Sequence, residues 1–166
     1  MMRSKARALG HPIHPMLVVI PLGLFIAAAV LDALYYWRGD TLFALISYYN
    51  IAGGILGGLL AAVFGLVDWL AIPSGTRAKR IGLFHGAINV TMVMLFAAAW
   101  IARTALPDFA PTTFVLGVEL TAIALALIGG WLGGELVDRL GVGVDEGANL
   151  NAPNSLSGRP ASAGRV

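Results

Sequence analysis

The sequence contains no cysteine and few charged residues. Only 12% of its 166 residues are charged and 58% are hydrophobic, whereas about 25% of a soluble domain is charged. Without cysteine the chain has no disulfide, no thiolate nucleophile and no cysteine-ligated metal cluster. It also lacks a nucleophile paired with a base, a phosphate-binding loop and a nucleotide fingerprint. The composition therefore excludes a soluble enzyme, a disordered chain and a disulfide scaffold, and no motif indicates an enzyme.

Charged residues are nearly absent from four long stretches. These stretches are residues 15–37, 41–67, 81–102 and 109–134. Each is longer than the roughly 20 apolar residues that a membrane-spanning helix needs, and together they contain only Asp32 and Glu119. We therefore predict an all-α, polytopic membrane protein whose four transmembrane helices form a bundle. The predicted helices cover about 16–36, 49–70, 81–102 and 112–136.

Basic residues are concentrated on one side of the predicted bundle. With four spans, the N-terminal tail, the loop between the second and third spans and the C-terminal tail share that side. It carries nine basic residues, namely Arg3, Lys5, Arg7, Arg77, Lys79, Arg80, Arg139, Arg159 and Arg165. The opposite side carries only Arg38 and Arg103. Because cytoplasmic loops are enriched in Lys and Arg, we predict that both termini are cytoplasmic and that nucleic acid is not a partner.

The chain outside the spans divides into two tails. Residues 1–15 form a basic tail that ends in HPIHP, and residues 147–166, rich in Gly, Asn, Pro and Ser, are predicted to be disordered. Residues 16–146 form the four-helix domain. Pro21 predicts a kink, because proline cannot donate a hydrogen bond to the carbonyl of Leu17. A basic start before an apolar run also resembles a signal peptide, although no convincing cleavage site follows it.

Glycines are paired at helix-packing spacing in two predicted spans. The pairs are Gly53 with Gly57, Gly54 with Gly58, Gly129 with Gly133, and Gly130 with Gly134. Small residues four apart let helices approach closely in lipid. The pairs therefore indicate helix packing, either within one chain or between the chains of a homo-oligomer.

Ionisable side chains from all four spans fall at one depth near the basic side. This inner layer contains His11, His14, Asp68, His85 and Glu135. Imidazole is the commonest metal ligand, so histidines beside carboxylates favour a metal ion, a haem or a proton relay. Asn89, one turn from His85 on the same helix face, extends the layer. The alternative is that these side chains only cap helix ends and hydrogen-bond to loops.

The spacing of the histidines separates two kinds of cofactor. Haem needs ligands on opposite sides of its iron, whereas His11 and His14, three residues apart, lie on one face if that stretch is helical. A haem would therefore use one of them, preferably His14, together with His85. A metal ion without haem would use all three histidines, with Asp68 or Glu135 as a carboxylate ligand or as a hydrogen-bond partner of a ligand.

A second, thinner layer near the opposite side consists of Asp32 and Glu119. An intramembrane carboxylate is costly, so it suggests proton or ion handling. Asp32 lies close enough to its helix end that we expect it to snorkel to the surface. Glu119 has no basic residue beside it on its own helix, so we expect it to be protonated, hydrogen-bonded or facing a polar cavity.

Three segments together resemble a known family. GHPIHPMLVVIPLGLF, FGLVDWLAIPSGTRAKRIGLFHGAINV and GGWLGGELVDRLGVGV resemble the membrane-domain family catalogued as domain of unknown function 2231, over most of residues 10–144. The resemblance implies a four-helix domain of the bacterial inner membrane without an assigned activity. Fusion of some members to Rieske iron-sulfur domains implies a redox role. The family motif falls on His11, Pro12, His14, Pro15, Asp68, His85, Asn89, Gly133, Gly134 and Val137.

One stretch departs from the family pattern. Members often carry a Tyr and a His before GVGV, where this chain has Asp138, Arg139 and Leu140. If that His supplies a ligand in the family, Asp138 or Glu135 would replace it here.

Two functions are compatible with these patterns. The first is a redox protein that binds haem b or a transition metal ion through His14 and His85 and exchanges electrons with a membrane partner. The second is a non-enzymatic scaffold, or a small transport or channel module, that assembles through the paired glycines. Proton-coupled transport through Glu119 is a third possibility, which would need an oligomer to form a path.

Overall fold

Four helices long and apolar enough to cross a membrane make up most of the chain. They are seen in a computed structural model that describes residues 2–164. The prediction of an all-α membrane protein with four spans is confirmed. The first span consists of α1 (Ile13–Leu17) and α2 (Val19–Arg38), the second is α3 (Thr41–Ala71), the third is α4 (Arg77–Arg103), and the fourth contains α5 (Thr113–Gly134) followed by the π-helical segment Glu135–Arg139.

Four short elements lie outside the helices of the spans in the part of the chain that the structure describes. Strands β1 (Arg7–Ala8) and β2 (His11–Pro12) form a small antiparallel hairpin before α1. Single 3-10 turns occur at Pro107–Phe109 and Ser155–Ser157.

The second span begins earlier than the apolar pattern predicted. Helix α2 ends at Arg38, and the next residue, Gly39, adopts a left-handed conformation with φ 70° that glycine tolerates without strain. The next residue, Asp40, caps α3 by accepting a hydrogen bond from the Leu42 amide at 2.9 Å. The helix therefore starts at Thr41, about two turns before the predicted position near residue 49.

The first span is interrupted where proline breaks its hydrogen bonding. Helix α1 ends at Leu17 and α2 begins at Val19. Pro21, on the next turn, has no amide hydrogen for the Leu17 carbonyl to accept, which is the cause predicted for a kink. Val18 bridges the break, since its amide donates to the His14 carbonyl and its carbonyl accepts from the Leu22 amide.

The four spans alternate in direction, so the bundle has two distinct ends. We call the end that carries the described tails and the 72–76 loop the terminal end, and the end that carries residues 39–40 and 104–112 the loop end. The core between them is centred on Phe25 and Phe96, whose rings stack in parallel with centroids 4.0 Å apart. The outward faces are apolar as well, as Leu56 and Leu127 show with about 70% exposure. An apolar exterior around a packed core is what a bilayer requires.

The tails fold onto the terminal end. Asp68 accepts hydrogen bonds from the Ser4 hydroxyl and the Lys5 amide at 2.7 and 2.8 Å. Arg7 pairs with Asp145, and the guanidinium holds the pKa of that carboxyl below its ordinary value. Over residues 147–164, where the composition predicted disorder, the chain forms turns and one 3-10 turn. The last two residues of that predicted tail, 165–166, lie outside the described residues.

Candidate functional site

Two histidines from different spans face each other near the terminal end. His14 belongs to α1 and His85 to α4, and their ring centroids lie 6.3 Å apart with the ring planes at 85°. Helix α1 starts directly after the His-Pro hairpin, and α4 carries His85 two turns beyond its first residue. The predicted haem-ligand pair is therefore brought together, although 71 residues separate the two histidines along the chain.

Both histidines are oriented by a backbone carbonyl. His14 Nδ1 lies 2.8 Å from the Ala61 carbonyl oxygen, and His85 Nδ1 lies 2.9 Å from the Gly129 carbonyl oxygen. A carbonyl oxygen only accepts, so in each ring Nδ1 must carry the proton and donate it. In the neutral imidazole the other nitrogen, Nε2, then holds a free lone pair. This is how ligating histidines are commonly oriented in metal sites.

Glycines make room for both rings. A Cβ atom added at Gly65 would lie 2.9 Å from His14 Cε1, and one added at Gly133 would lie 3.2 Å from His85 Cε1. Each glycine is four residues beyond the carbonyl that orients the ring, so it occupies the next helical turn on the same face. The predicted Gly129–Gly133 pair therefore serves side-chain packing at this site.

Asn89 supports the His85 side of the pair. Its Nδ2 donates to the His85 carbonyl at 2.8 Å and lies 3.4 Å from both ring nitrogens. Gly129 leaves space for the amide, because a Cβ there would lie 2.7 Å from Asn89 Oδ1. Asn89 therefore extends the predicted histidine layer through direct contact with His85.

The other members of the predicted inner layer bind different partners. His11 is exposed and its Nε2 lies 3.3 Å from the Ser155 hydroxyl. Asp68 binds the N-terminal tail, as described above, and Glu135 pairs with Arg77 at 2.6 Å. Across residues 2–164 no group of three or more His, Asp or Glu side chains is placed to hold a metal ion. The predicted set of three histidines with Asp68 or Glu135 is therefore not grouped among these residues, since Asp68 binds the N-terminal tail and Glu135 binds Arg77.

Most of the paired glycines pack helices within this one chain. A Cβ at Gly53, Gly54 or Gly57 would meet side chains of α2, and one at Gly58 would lie 3.1 Å from Val93 of α4. Gly130 and Gly134 differ, since a Cβ there would meet no described atom within 4 Å. The four glycines of α3 therefore pack helices within one chain, which is one of the two alternatives that the sequence left open.

The loop end contains a buried ionic cluster. Arg103, at the end of α4, is fully buried and donates two hydrogen bonds to Asp32, at 2.7 and 3.0 Å. The same guanidinium donates to Glu119 at 3.1 Å, and Ser47 donates to Asp32 at 2.7 Å. All four spans therefore contribute one side chain to this cluster, which we call the Arg103 cluster (Asp32, Ser47, Arg103 and Glu119).

Backbone carbonyls complete the surroundings of Arg103. The guanidinium donates to the Ala44 carbonyl at 2.9 Å and, through Nε, to the Phe109 carbonyl at 2.7 Å. Phe109 and its neighbour Asp108 both have positive φ, which is uncommon for residues with a side chain. The Phe109 ring stacks on Tyr48 with centroids 4.3 Å apart. Packing and the bond to Arg103 together hold this strained turn in place.

Two expectations about the loop end were wrong. Asp32 does not snorkel to the surface, because it is fully buried against Arg103. Arg103 is not a loop charge, because its side chain points back into the bundle. The distribution of charge along the chain held one signal for this pairing. Two intramembrane carboxylates need a cation, and Arg38 and Arg103 are the basic residues that border spans at that end.

Charge in the Arg103 cluster is not balanced by its own side chains. Two carboxylates meet one guanidinium, which is always protonated. Glu119 Oε1 accepts from Arg103, while Oε2 has no hydrogen-bond partner among the described residues. With both carboxylates ionised the cluster would carry one net negative charge, and a single bound proton would neutralise it. Proton or ion handling by Asp32 and Glu119 stays a prediction.

Comparison with known proteins adds two partial relatives. The chain is 31% identical over 102 residues to a glycerol-3-phosphate acyltransferase of Sinorhizobium medicae (strain WSM419), which covers 60% of this chain and 48% of that protein. It is 33% identical over 108 residues to a protein of the same name from Rhizobium meliloti (strain 1021), which covers 63% and 51%. The chain thus spans about half the length of these relatives. No solved structure matches it significantly.

A family model covers most of the chain. The model described as "Predicted membrane protein (DUF2231)" matches residues 10–146. These residues include both histidines of the facing pair and every member of the Arg103 cluster. The protein therefore belongs to the DUF2231 family of membrane proteins.

Proposed function

We propose that the protein is a redox protein of the membrane that binds haem b between His14 and His85. The observation that carries the proposal is the facing pair itself, in which both Nδ1 atoms are bound to carbonyls, so that Nε2 is the unprotonated nitrogen of each neutral ring. The role we propose is electron exchange with a partner in the same membrane.

The spacing of the two rings suits ligands on opposite sides of one iron. Metal–imidazole bonds are about 2 Å long, so two opposed imidazoles on one metal place their ring centroids roughly 6 Å apart. The centroids of His14 and His85 are 6.3 Å apart. The donor atoms and the spacing therefore fit a pair of axial ligands.

The number of ligands favours haem over a bare ion. Zinc in proteins takes three or four protein ligands, and the described residues offer no group of three. Haem supplies four nitrogens of its own and needs only axial ligands from the protein. When bound, haem would supply one-electron redox chemistry. The chain would position it through the two histidines, with Asn89 holding His85.

The test is an absorbance spectrum of the detergent-purified protein, oxidised and then reduced with dithionite, with iron analysis of the same sample. We expect the reduced-minus-oxidised bands of a haem with two histidine ligands. His14→Ala and His85→Ala should each abolish these bands, because one axial ligand is lost. His11→Ala is the matched control, since His11 is exposed and turned toward Ser155, and it should keep the full spectrum.

Two results would refute the haem proposal. One is a wild-type protein that stays colourless and iron-free after haemin has been added to it. The other is a full spectrum in either His14→Ala or His85→Ala, with both variants shown to be monodisperse by size-exclusion chromatography.

We further propose that the protein lies in the bacterial inner membrane with its terminal end in the cytoplasm. Arg103 is buried, which leaves Arg38 as the exposed basic residue at the loop end. The excess of Lys and Arg at the terminal end over those exposed at the loop end is therefore larger than the count from the sequence. An alkaline phosphatase reporter inserted after Gly39 should be active, and the same reporter fused to the C-terminus should be inactive. Activity at the C-terminus would overturn this orientation.

A further inference from the structure

Three contacts at different depths of the bundle join residues with the same spacing in sequence. Asp32 and Arg103, at the loop end, are 71 residues apart. The stacked pair Phe25 and Phe96 in the core and the facing pair His14 and His85 have the same separation. A constant spacing along the whole bundle means that α1 and α2 together correspond to α4.

The buried faces of these helices correspond residue by residue. In α2 the buried positions are Pro21, Phe25, Ala28 and Asp32. At the same spacing α4 buries Met92, Phe96, Ala99 and Arg103. The sequences correspond too, since LFIAA at 24–28 is matched by LFAAA at 95–99. Both the pattern of burial and the residues themselves are therefore repeated.

The following helices, α3 and α5, correspond in the same way. Ala61 and Gly65 contact His14 as Gly129 and Gly133 contact His85, again at one constant spacing. Four buried positions of α3 match four buried positions of α5: Ser47 with Val115, Ile51 with Glu119, Gly54 with Ala122, and Ala61 with Gly129.

The end of α3 and the π-helical segment that follows α5 add a sequence match. LVDWL at 66–70 is matched by LVDRL at 136–140. The spacing is two residues longer there, and the π-helical segment Glu135–Arg139 lies at this point in the fourth span. A π-helical turn, with its i→i+5 hydrogen bonds, contains more residues than an α-helical turn.

We propose that the protein consists of two copies of one helical hairpin, related by a pseudo-two-fold axis along the bundle, and that the histidine pair on this axis is two equivalent half-sites. Each half-site is one imidazole, the carbonyl that accepts its Nδ1 proton, and the glycine one turn further on. Parallel repeats related by an axis along the membrane normal are a known plan of membrane proteins.

The two halves differ mainly at the loop end. There Asp32 corresponds to Arg103, and Ile51 corresponds to Glu119, so equivalent positions carry unlike side chains. Two identical hairpins would bring like charges together on the axis, whereas this chain brings opposite charges together. The Arg103 cluster thus favours pairing of the unlike halves, while the two imidazoles keep equivalent carbonyl and glycine contacts at the terminal end.

Equivalent half-sites require that both imidazoles are in the same tautomer. A hydrogen bond between the two Nε2 atoms would require different tautomers, since one ring would have to carry its proton at Nε2 and donate it. The tautomers can be read directly by ¹⁵N NMR of the full-length protein, labelled at histidine and free of haem and metal. The three signals are assigned with His11→Ala, His14→Ala and His85→Ala.

We expect His14 and His85 to share the Nδ1-protonated form. Exposed His11, whose Nε2 contacts the Ser155 hydroxyl, is the internal control. Opposite tautomers at His14 and His85, or loss of the Nδ1–H form at one of them, would overturn the equivalence. This experiment needs no ligand, so its result does not depend on the haem proposal.

A second measurement deepens the proposed function and rests on it. With haemin bound, His14→Ala and His85→Ala should each regain the six-coordinate spectrum on addition of imidazole, and the two should need similar imidazole concentrations. Rescue of only one variant would contradict equivalent half-sites. A wild-type protein that fails to bind haemin would refute the proposed function, and the NMR result would still decide the equivalence.

Discussion

Replacement of Arg103 with leucine is expected to destabilise the protein by about 3–5 kcal/mol, the usual cost of removing one partner from a buried ion pair. The loss leaves Asp32 and Glu119 facing each other without a cation, both fully buried. It also removes the donor to the Phe109 carbonyl, which helps to hold the strained turn of the loop end. Thermal unfolding in detergent, followed by circular dichroism, measures the effect.

Two further variants test whether the loss of stability comes from the buried charges that Arg103 leaves without a partner. Arg38→Leu is the matched control, because Arg38 also ends a spanning helix but is exposed, and it should change stability by less than about 0.5 kcal/mol. The triple variant with leucine at positions 32, 103 and 119 should recover most of the lost stability, since a buried ionic cluster can often be replaced by apolar residues. A stable Arg103→Leu, or a triple variant no better than the single one, would contradict this account.

Replacement of Gly54 with leucine is expected to cost about 3 kcal/mol or more, at the upper end of the range for overpacked cores. A Cβ at this position would already lie 2.5 Å from Cε1 of Phe25. That ring cannot move away, because it is stacked on Phe96 and fully buried. The same unfolding experiment in detergent reports the loss.

Gly130→Leu is the control for this prediction. Gly130 also lies inside a spanning helix, but a Cβ there meets no described atom within 4 Å. Leucine is a better helix former than glycine, so the control should be neutral or slightly stabilising. Equal losses in the two variants would show that glycine matters for helix flexibility and not for the close approach of α3 to α2.

The histidine site could be predicted from sequence only in part. The depth of each histidine follows from its distance to a helix end, so the facing of His14 and His85 was within reach. The partners of His11, Asp68 and Glu135 were not, because they depend on how the tails and loops fold back over the terminal end. A shared depth places side chains in one layer, but it does not specify which of them touch.

The Arg103 cluster shows the same limit more sharply. The positive-inside rule counts a basic residue at a helix end as a loop charge, so the sequence assigned Arg103 to the outer side of the membrane. Its direction is decided by the rotation of α4 about its own axis, which packing against three other helices determines. If α4 were rotated so that position 103 faced outward, the same arginine would snorkel to the surface instead of being buried.

The sequence by itself determined the class of the protein, the number of spans and the break near Pro21. These follow from local physics, since long apolar runs need lipid and proline lacks an amide hydrogen. Only the tertiary structure decided which polar groups pair. Helix rotation and the closeness of approach at Gly54, Gly65 and Gly133 place His14 against His85 and Arg103 against Asp32, and these depend on side chains that lie far apart in the chain.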